Sequence, residues 1–244
     1  MMPVPSLRHF VLAALAGTLI LAGCSQSGAP APDAAQQQAQ AKAAEATRNL
    51  DTYRQLLRIH NDQMAAAQGE EIVQRFPGSA AAKEVQQTLP EVEKRWKENS
   101  EKARLAALWQ YQVAPMAGGT QSTAAIYDSR PIGAHVRLVL RRHTSWGQSA
   151  FLFNDGRGGF VCKGECKIAA KFDDKTRAIK AYAPSTGEPA LMIRDDKDFI
   201  ARLEKARKIT MDVTFVDGEK KQTLVFEVGG FDPAKWQALP KTKK

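Results

Sequence analysis

Cysteine and histidine are scarce in this chain, which has 3 cysteines and 4 histidines in 244 residues. The cysteines and histidines are also not grouped with the further soft or imidazole ligands that a zinc site would need. The sequence also lacks a Gly-x-Ser-x-Gly nucleophile elbow, a His-Glu-x-x-His helix and a phosphate loop ending in Gly-Lys-Ser/Thr. We therefore expect no metal, no cofactor and no enzymatic activity.

Long apolar runs are also missing after the first 21 residues. A polar start that carries Arg8 leads into an apolar stretch from Phe10 to Leu21. This stretch is shorter than the roughly 20 residues of a membrane-spanning helix. Small residues follow it and end in Leu21-Ala22-Gly23-Cys24. The arrangement predicts a signal peptide over residues 1–23.

The Leu21-Ala22-Gly23-Cys24 segment resembles the lipobox of bacterial lipoproteins. The resemblance implies that Cys24 is lipidated, becomes the first residue after cleavage and holds the chain on a membrane. Several acyl chains would make this attachment stable, since one chain gives only marginal binding. In Gram-negative lipoproteins an Asp after the cysteine usually means retention at the inner membrane. Ser25 therefore implies the inner leaflet of the outer membrane, with the body of the protein in the periplasm.

The first part of the mature chain is predicted to be a tether and a helical arm. Residues 24–32 are small and contain proline, which is typical of a flexible tether. Between residues 33 and 108 the apolar side chains recur at helical spacing, and Pro90 is expected to kink or divide the last segment. The segment Arg75 to Ala82 resembles the helix-to-helix junction of tetratricopeptide-type envelope proteins. Because the resemblance covers one repeat of about 30 residues, we expect a helical hairpin with a long third segment rather than a solenoid.

From Trp109 onward the apolar period changes to two, which indicates β-strands. Asn154-Asp155-Gly156 and Asp217-Gly218 are typical of hairpin turns. One amphipathic helix, starting near Asp196, interrupts the series. The strands are predicted at Trp109 to Val113, Thr123 to Tyr127, His135 to Arg142, Ala150 to Asn154, Gly159 to Cys162, Cys166 to Phe172, Arg177 to Ala183, Ala190 to Arg194, Ile209 to Val216 and Gln222 to Val228.

The pattern of apolar residues from Trp109 to Trp236 resembles the β-sandwich of several bacterial periplasmic proteins, some of them linked to secretion systems. The resemblance implies an antiparallel β-domain over residues 109–238, followed by a basic tail over residues 239–244. The predicted fold class is therefore α+β: an N-terminal helical hairpin arm followed by an antiparallel β-sandwich-like domain with one short helix.

Cys162 and Cys166 become an even pair once Cys24 carries lipid. In an oxidising compartment such a pair predicts a disulfide. Gly164 can turn the chain, so that flanking strands bring the two Cα atoms within the roughly 4.4 to 6.8 Å that a disulfide requires. Redox chemistry and metal binding are the alternatives, although a thioredoxin-type motif has two intervening residues and zinc needs further ligands.

The whole excess of positive over negative charge lies in the second half of the mature chain. Residues 25–108 carry 11 basic and 11 acidic side chains, whereas residues 109–244 carry 23 basic and 15 acidic ones. A periplasmic location disfavours nucleic acid as the partner and favours lipopolysaccharide phosphates, peptidoglycan carboxylates or an acidic protein surface. A solvated basic surface without a specific ligand is the plain alternative.

Four residues are candidates for binding a partner: Arg137, Arg141, Arg142 and Trp146. Strand alternation places Arg137 and Arg141 on one face and Arg142 on the other. We therefore interpret the chain as a membrane-anchored binding or scaffolding lipoprotein with an envelope protein or an anionic envelope component as its partner.

Two alternatives come from other functional classes. An inhibitor or immunity-type protein would block an envelope hydrolase with the loop Ser145 to Gln148, using Trp146 as its anchor unless that side chain folds back onto the domain. A hydrolase of unrecognised type would need His135 or His143 within hydrogen-bonding reach of a carboxylate and a hydroxyl group.

Overall fold

The structure is a computed structural model that describes residues 33–130 and 136–240. The predicted signal peptide, Cys24, the tether, His135 and the tail residues 241–244 lie outside the described residues. The described chain consists of a helical N-terminal region followed by an antiparallel β-domain, so the predicted α+β class is confirmed. In these two ranges no helix combines the length and the apolar character that crossing a membrane requires.

Three helices form the N-terminal arm: α1 (Ala34–Arg58), α2 (Asp62–Arg75) and α3 (Ala80–Ala107). Asn61 caps α2, because its side chain accepts a hydrogen bond from the backbone N–H of Met64. Ser79 caps α3 in the same way through the N–H of Ala82. Helix α3 is 28 residues long and continues through Pro90, so the proline does not divide it.

The three helices of the arm share one apolar core, whose centre includes Tyr53, Ile72 and Val85. Gly69 allows α2 to lie close to its neighbours, since a Cβ atom there would lie 2.8 Å from Cδ1 of Leu89 and 3.1 Å from Cε2 of Tyr53. The buried phenol is satisfied, because the hydroxyl of Tyr53 and that of Thr88 form a hydrogen bond of 2.8 Å. The arm is therefore a packed unit with its own core.

Among the described residues, nine strands form the β-domain: β1 (Trp109–Met116), β2 (Gly119–Tyr127), β3 (Val136–His143), β4 (Gly147–Asn154), β5 (Glu165–Phe172), β6 (Lys175–Tyr182), β7 (Ala190–Ile193), β8 (Ile209–Thr214) and β9 (Lys221–Phe226). They make one sheet in the order β1-β2-β3-β4-β7-β6-β5-β8-β9. The last helix, α4 (Asp196–Leu203), lies between β7 and β8 in the chain and packs Phe199 against Phe172, with ring centroids 5.5 Å apart.

The predicted strand Gly159 to Cys162 is wrong. Only Phe160 pairs there, in an isolated bridge with Phe215, and β4 pairs with β7. The physical reason lies in Asn154, whose side-chain amide donates to the carbonyls of Arg157 and Gly158. These bonds organise a wide loop in place of a two-residue hairpin. The second predicted turn is confirmed, since β8 and β9 form a hairpin around Asp217-Gly218.

All nine strands contribute to a single apolar core. The sheet therefore curls, which is the sandwich-like arrangement expected from the sequence. A backbone hydrogen bond of 2.7 Å from Ser129 to Val225 joins the segment after β2 to β9. The two ends of the sheet thus come together around the core.

The segment after β9 closes this core with Trp236, which is 2% exposed. Its indole N–H donates to the carbonyl of Ser122 at 3.1 Å. The guanidinium carbon of Arg142 lies 3.7 Å from the centroid of its ring, and Nη1 of Arg142 donates to the Trp236 carbonyl at 2.6 Å. Trp236 is therefore held by stacking and by hydrogen bonds at both its ring and its backbone.

The arm and the β-domain are joined without a linker, since Leu108 alone separates α3 from β1. Arg104 on α3 forms an ion pair with Glu227 at 2.7 Å, and this hydrogen bond holds the pKa of Glu227 below its usual value. The turn Val228–Gly230 packs against the end of α3, where a Cβ atom at Gly230 would lie 2.2 Å from the carbonyl carbon of Leu105. The contact is therefore a close backbone approach.

Candidate functional site

A groove of about 480 Å³ lies on the outer face of the sheet, across β1 to β4 and beside β6 and β7. We call it the outer groove. Its volume falls in the range of roughly 300 to 1,000 Å³ that is usual for small-molecule sites. Apolar and aromatic side chains form much of its wall, namely Val139, Trp146, Phe151, Phe153, Tyr182 and Met192. Three of the four predicted site residues line the groove, namely Arg137, Arg141 and Trp146.

Arg141 is the most unusual charged group in the outer groove. Its guanidinium carbon lies 5.1 Å from the ring centroids of both Trp146 and Phe151. Its Nε donates to the hydroxyl of Ser149 at 3.2 Å, and within the described ranges no carboxylate lies within 4.0 Å of it. Burial lowers the pKa of Arg141, although Glu188 acts in the opposite direction. The group remains a cation, since arginine does not lose its proton in proteins.

Arg137 is already neutralised. Its guanidinium lies 5.2 Å from the ring centroid of Phe153 and 5.8 Å from that of Tyr127, and it forms an ion pair with Asp155. Because Asp155 is the first residue of the wide loop after β4, this ion pair also holds the start of the loop against the sheet. Arg137 and Arg141 thus share one face, as alternation predicts, but of the two only Arg137 forms an ion pair within the described residues.

Trp146 is 51% exposed at the tip of the β3–β4 hairpin. Its ring is stacked on that of His143, with centroids 3.8 Å apart and planes 13° apart. His143 is 3% exposed, and both its nitrogens contact the backbone: Nε2 and the Met116 carbonyl are 2.8 Å apart, and Nδ1 accepts from the N–H groups of Ser145 and Trp146. His143 therefore fixes the hairpin that presents Trp146.

Arg142, the fourth predicted site residue, does not line the outer groove. It lies on the opposite face of β3, where it binds Trp236 as described above. Burial lowers its pKa, with Glu204 acting in the opposite direction. These contacts stabilise the closure of the core. The sequence had led us to expect a partner-binding role for Arg142 instead.

Most of the basic excess lies away from the outer groove. Lys167 on β5 and Lys180 on β6 face each other directly in the register of the sheet, and both are exposed. Like charges in directly opposed positions destabilise a sheet. The basic surface predicted from the sequence is thus divided between these strands and the outer groove, whose own charges include Glu188.

A polar cleft of about 370 Å³ lies between the end of α3 and the β-domain. Its acidic side chains already have hydrogen-bond or ion-pair partners within the protein. Asp173 accepts hydrogen bonds from the backbone N–H groups of Arg207 and Lys208. Glu227 in the same cleft is paired with Arg104. The cleft therefore has the character of an interface within the fold.

Cys162 and Cys166 form the predicted disulfide, with Cα atoms 5.5 Å apart. Only Cys166 lies in a strand, so the bond joins the wide loop after β4 to the start of β5 rather than pinning two strands of a hairpin. The described residues contain no group of three or more His, Cys, Asp or Glu side chains placed to hold a metal ion.

Replacing both Cys162 and Cys166 with alanine is expected to lower the free energy of unfolding by about 2 kcal/mol, because a closed loop of this length restricts the unfolded chain by that amount. The measurement is urea unfolding followed by circular dichroism, with and without a reductant. The double variant is its own control, since reductant should leave it unchanged. Equal midpoints for the oxidised and reduced wild-type protein would contradict this prediction.

The aromatic wall of the outer groove was missed in the sequence analysis. Phe151 and Phe153 alternate with the fully buried Leu152 along β4, so both faces of this strand are apolar. That pattern indicates a strand covered on both sides, and it could have drawn attention to the outer face. Tyr182 and Met192 come from β6 and β7, whose places beside β4 depend on the strand order.

The chain is thus an α+β protein in which a helical arm adjoins a curled antiparallel sheet with an Arg-aromatic groove. No family model and no curated protein matches it. Among solved structures it is similar to the invasion associated protein B from Bartonella henselae, with 17% sequence identity and a TM-score of 0.35. The match covers 52% of this chain and 87% of that one. A similarity at this level says nothing about function.

Proposed function

We propose that this chain is a membrane-anchored periplasmic lipoprotein that acts as a binding or scaffolding module through its β-domain. The anchor is the lipid expected on Cys24, and the proposed location is the inner leaflet of the outer membrane. The partner is an envelope protein or an anionic envelope component. The outer groove is the surface that serves this role.

The observation that carries the proposal is the state of Arg141. A half-buried guanidinium is costly unless it is paired, and this one has no carboxylate partner in the part of the chain that the structure describes. Stacking on Trp146 and Phe151 holds it in place. A partner with a negative group would supply the missing interaction, and the aromatic wall would supply contact area beside it.

The test is affinity purification of the full chain from cross-linked envelopes. Arg141→Gln is expected to reduce recovery of the partner by about tenfold or more, which is the usual effect of losing a charge-assisted hydrogen bond. Lys180→Gln is the matched control, because it removes the same charge from an exposed site elsewhere on the sheet. A partner recovered equally by both variants would count against the outer groove. Cys24→Ser tests the anchor, since it should release the protein from the membrane fraction.

A second candidate function is inhibition of an envelope hydrolase. It is favoured by Trp146, a large aromatic side chain that is 51% exposed at the tip of a hairpin and held rigid by His143. Such residues are frequent anchors of tight interfaces. The same purification at high salt distinguishes the two functions. The inhibitor is supported over the binding module if the complex is lost in Trp146→Ala and retained in Arg141→Gln.

A further inference from the structure

We propose that the outer groove binds a glycan segment about two sugar residues long that carries a single carboxylate. The inference rests on the proposed function and specifies its ligand. It is drawn from the charges of the groove, from the side chains that line it and from its position on the face of the sheet.

The charge balance favours a ligand with one negative group. Arg137 is in an ion pair with Asp155, whereas Glu188 acts on Arg141 without an ion pair within 4.0 Å, so the guanidinium of Arg141 still has donors for a ligand. Its Nε is used by Ser149, which leaves the two terminal nitrogens of the guanidinium. Those two nitrogens match the two oxygens of a carboxylate. A polyanion placed in the groove would instead meet the carboxylate of Glu188, and it would compete with Asp155 for Arg137.

The position of the outer groove disfavours an extended peptide. The strands β2, β3 and β4 are each paired on both sides, so their backbone groups are already used in the sheet. A peptide on this face could not add as a strand, which is the usual source of its backbone hydrogen bonds. A sugar ring needs none of these bonds, because it stacks on aromatic rings through its C–H face and exchanges hydrogen bonds with side chains.

The side chains of the outer groove suit such a ligand. Trp146 is half exposed and its position is fixed by stacking on His143, so little entropy is lost when a ligand contacts the part of the ring that His143 and Arg141 leave exposed. Gln121 and Thr123 line the groove on β2 and provide an amide and a hydroxyl for hydroxyl groups of the ligand. The groove volume of about 480 Å³ is in the usual range for a small-molecule ligand of this size.

The test is isothermal titration calorimetry on the full chain in detergent, with three probes. The first is the disaccharide of N-acetylglucosamine and N-acetylmuramic acid, which carries one carboxylate. The second is N,N′-diacetylchitobiose, a neutral disaccharide of similar size, and the third is inorganic polyphosphate. The acidic disaccharide should bind at least about tenfold more tightly than the neutral one.

The variants locate the interaction. Arg141→Gln should remove the preference for the acidic disaccharide, Arg141→Lys should retain part of it, and Trp146→Ala should weaken both sugars. Lys180→Gln should change neither affinity, and circular dichroism checks that each variant is folded. Equal binding of the two sugars, tighter binding of polyphosphate, or an Arg141→Gln variant that still discriminates would overturn the inference.

The two proposals fail in different ways. If neither sugar binds but the cross-linked partner is still lost on Arg141→Gln, the groove is a protein-binding site, so the glycan inference falls and the proposed function stands. If Arg141→Gln affects neither the sugars nor the partner, both proposals fall.

Discussion

Replacing Trp236 with alanine is expected to lower the free energy of unfolding by about 3 to 5 kcal/mol, the usual cost of removing a large buried aromatic side chain. Trp236 is 2% exposed, and it fills the space between Arg142, Phe231 and β2. Its loss would also leave the Ser122 carbonyl without the indole donor. Since domains are stable by only about 5 to 15 kcal/mol, this one side chain accounts for a large share of the total.

The measurement is urea unfolding followed by circular dichroism. Trp146→Ala is the matched control, because it removes the same side chain from a position that is 51% exposed, and its cost should stay below about 1 kcal/mol. Trp236→Phe should lie between the two, since it keeps an aromatic ring and removes the N–H donor. If Trp236→Ala cost no more than Trp146→Ala, the C-terminal segment would not belong to the cooperative core.

Gly230→Ala is expected to destabilise the protein by about 3 kcal/mol. The added Cβ atom would lie 2.2 Å from the carbonyl carbon of Leu105 and 2.3 Å from the nitrogen of Ala106. These are backbone atoms of α3, which cannot move aside as a side chain can, so the helix and the turn must separate. The ion pair between Arg104 and Glu227 spans the same contact and would be strained with it.

Gly159→Ala is the control for this substitution, because the nearest atom to its added Cβ lies at the ordinary contact distance of 3.5 Å. It should change the free energy of unfolding by about 0.5 kcal/mol or less. Both substitutions reduce the freedom of the unfolded chain equally, so their difference isolates the clash. Equal unfolding midpoints for the two variants would show that α3 and the turn do not approach each other this closely.

Local patterns in the sequence were sufficient to predict most of the secondary structure. The change of apolar period at Trp109 is a short-range signal, and the observed caps at Asn61 and Ser79 likewise depend only on residues close in the sequence. Strand pairing is a long-range property. The chain from Asn154 to Gly164 contains turn residues and apolar residues that suit a hairpin, but the place beside β4 is occupied by β7. Nothing within ten residues of Asn154 reports that competition.

The candidate site, too, could be predicted only where local patterns determine it. Alternation along β3 correctly separated Arg137 and Arg141 from Arg142. The groups that these arginines contact could not be predicted, because Asp155 lies beside the guanidinium of Arg137 and Trp236 beside that of Arg142 only in the folded chain. In the composition Arg137, Arg141 and Arg142 are equivalent positive charges, whereas in the fold each guanidinium contacts different side chains.

The direct junction of α3 with β1 has a consequence for how chains of this kind can vary in length. A helix turns by about 100° with each residue, and successive side chains of a strand point to opposite faces of the sheet. One residue inserted beside Leu108 would therefore either rotate the arm by more than a quarter turn or send Trp109 and Tyr111 to the wrong face of the sheet. The number of residues at this junction therefore sets the orientation of the arm relative to the sheet. Insertions are easier to accommodate in the loop after β4, because neither the helical period nor the alternation of a strand applies there.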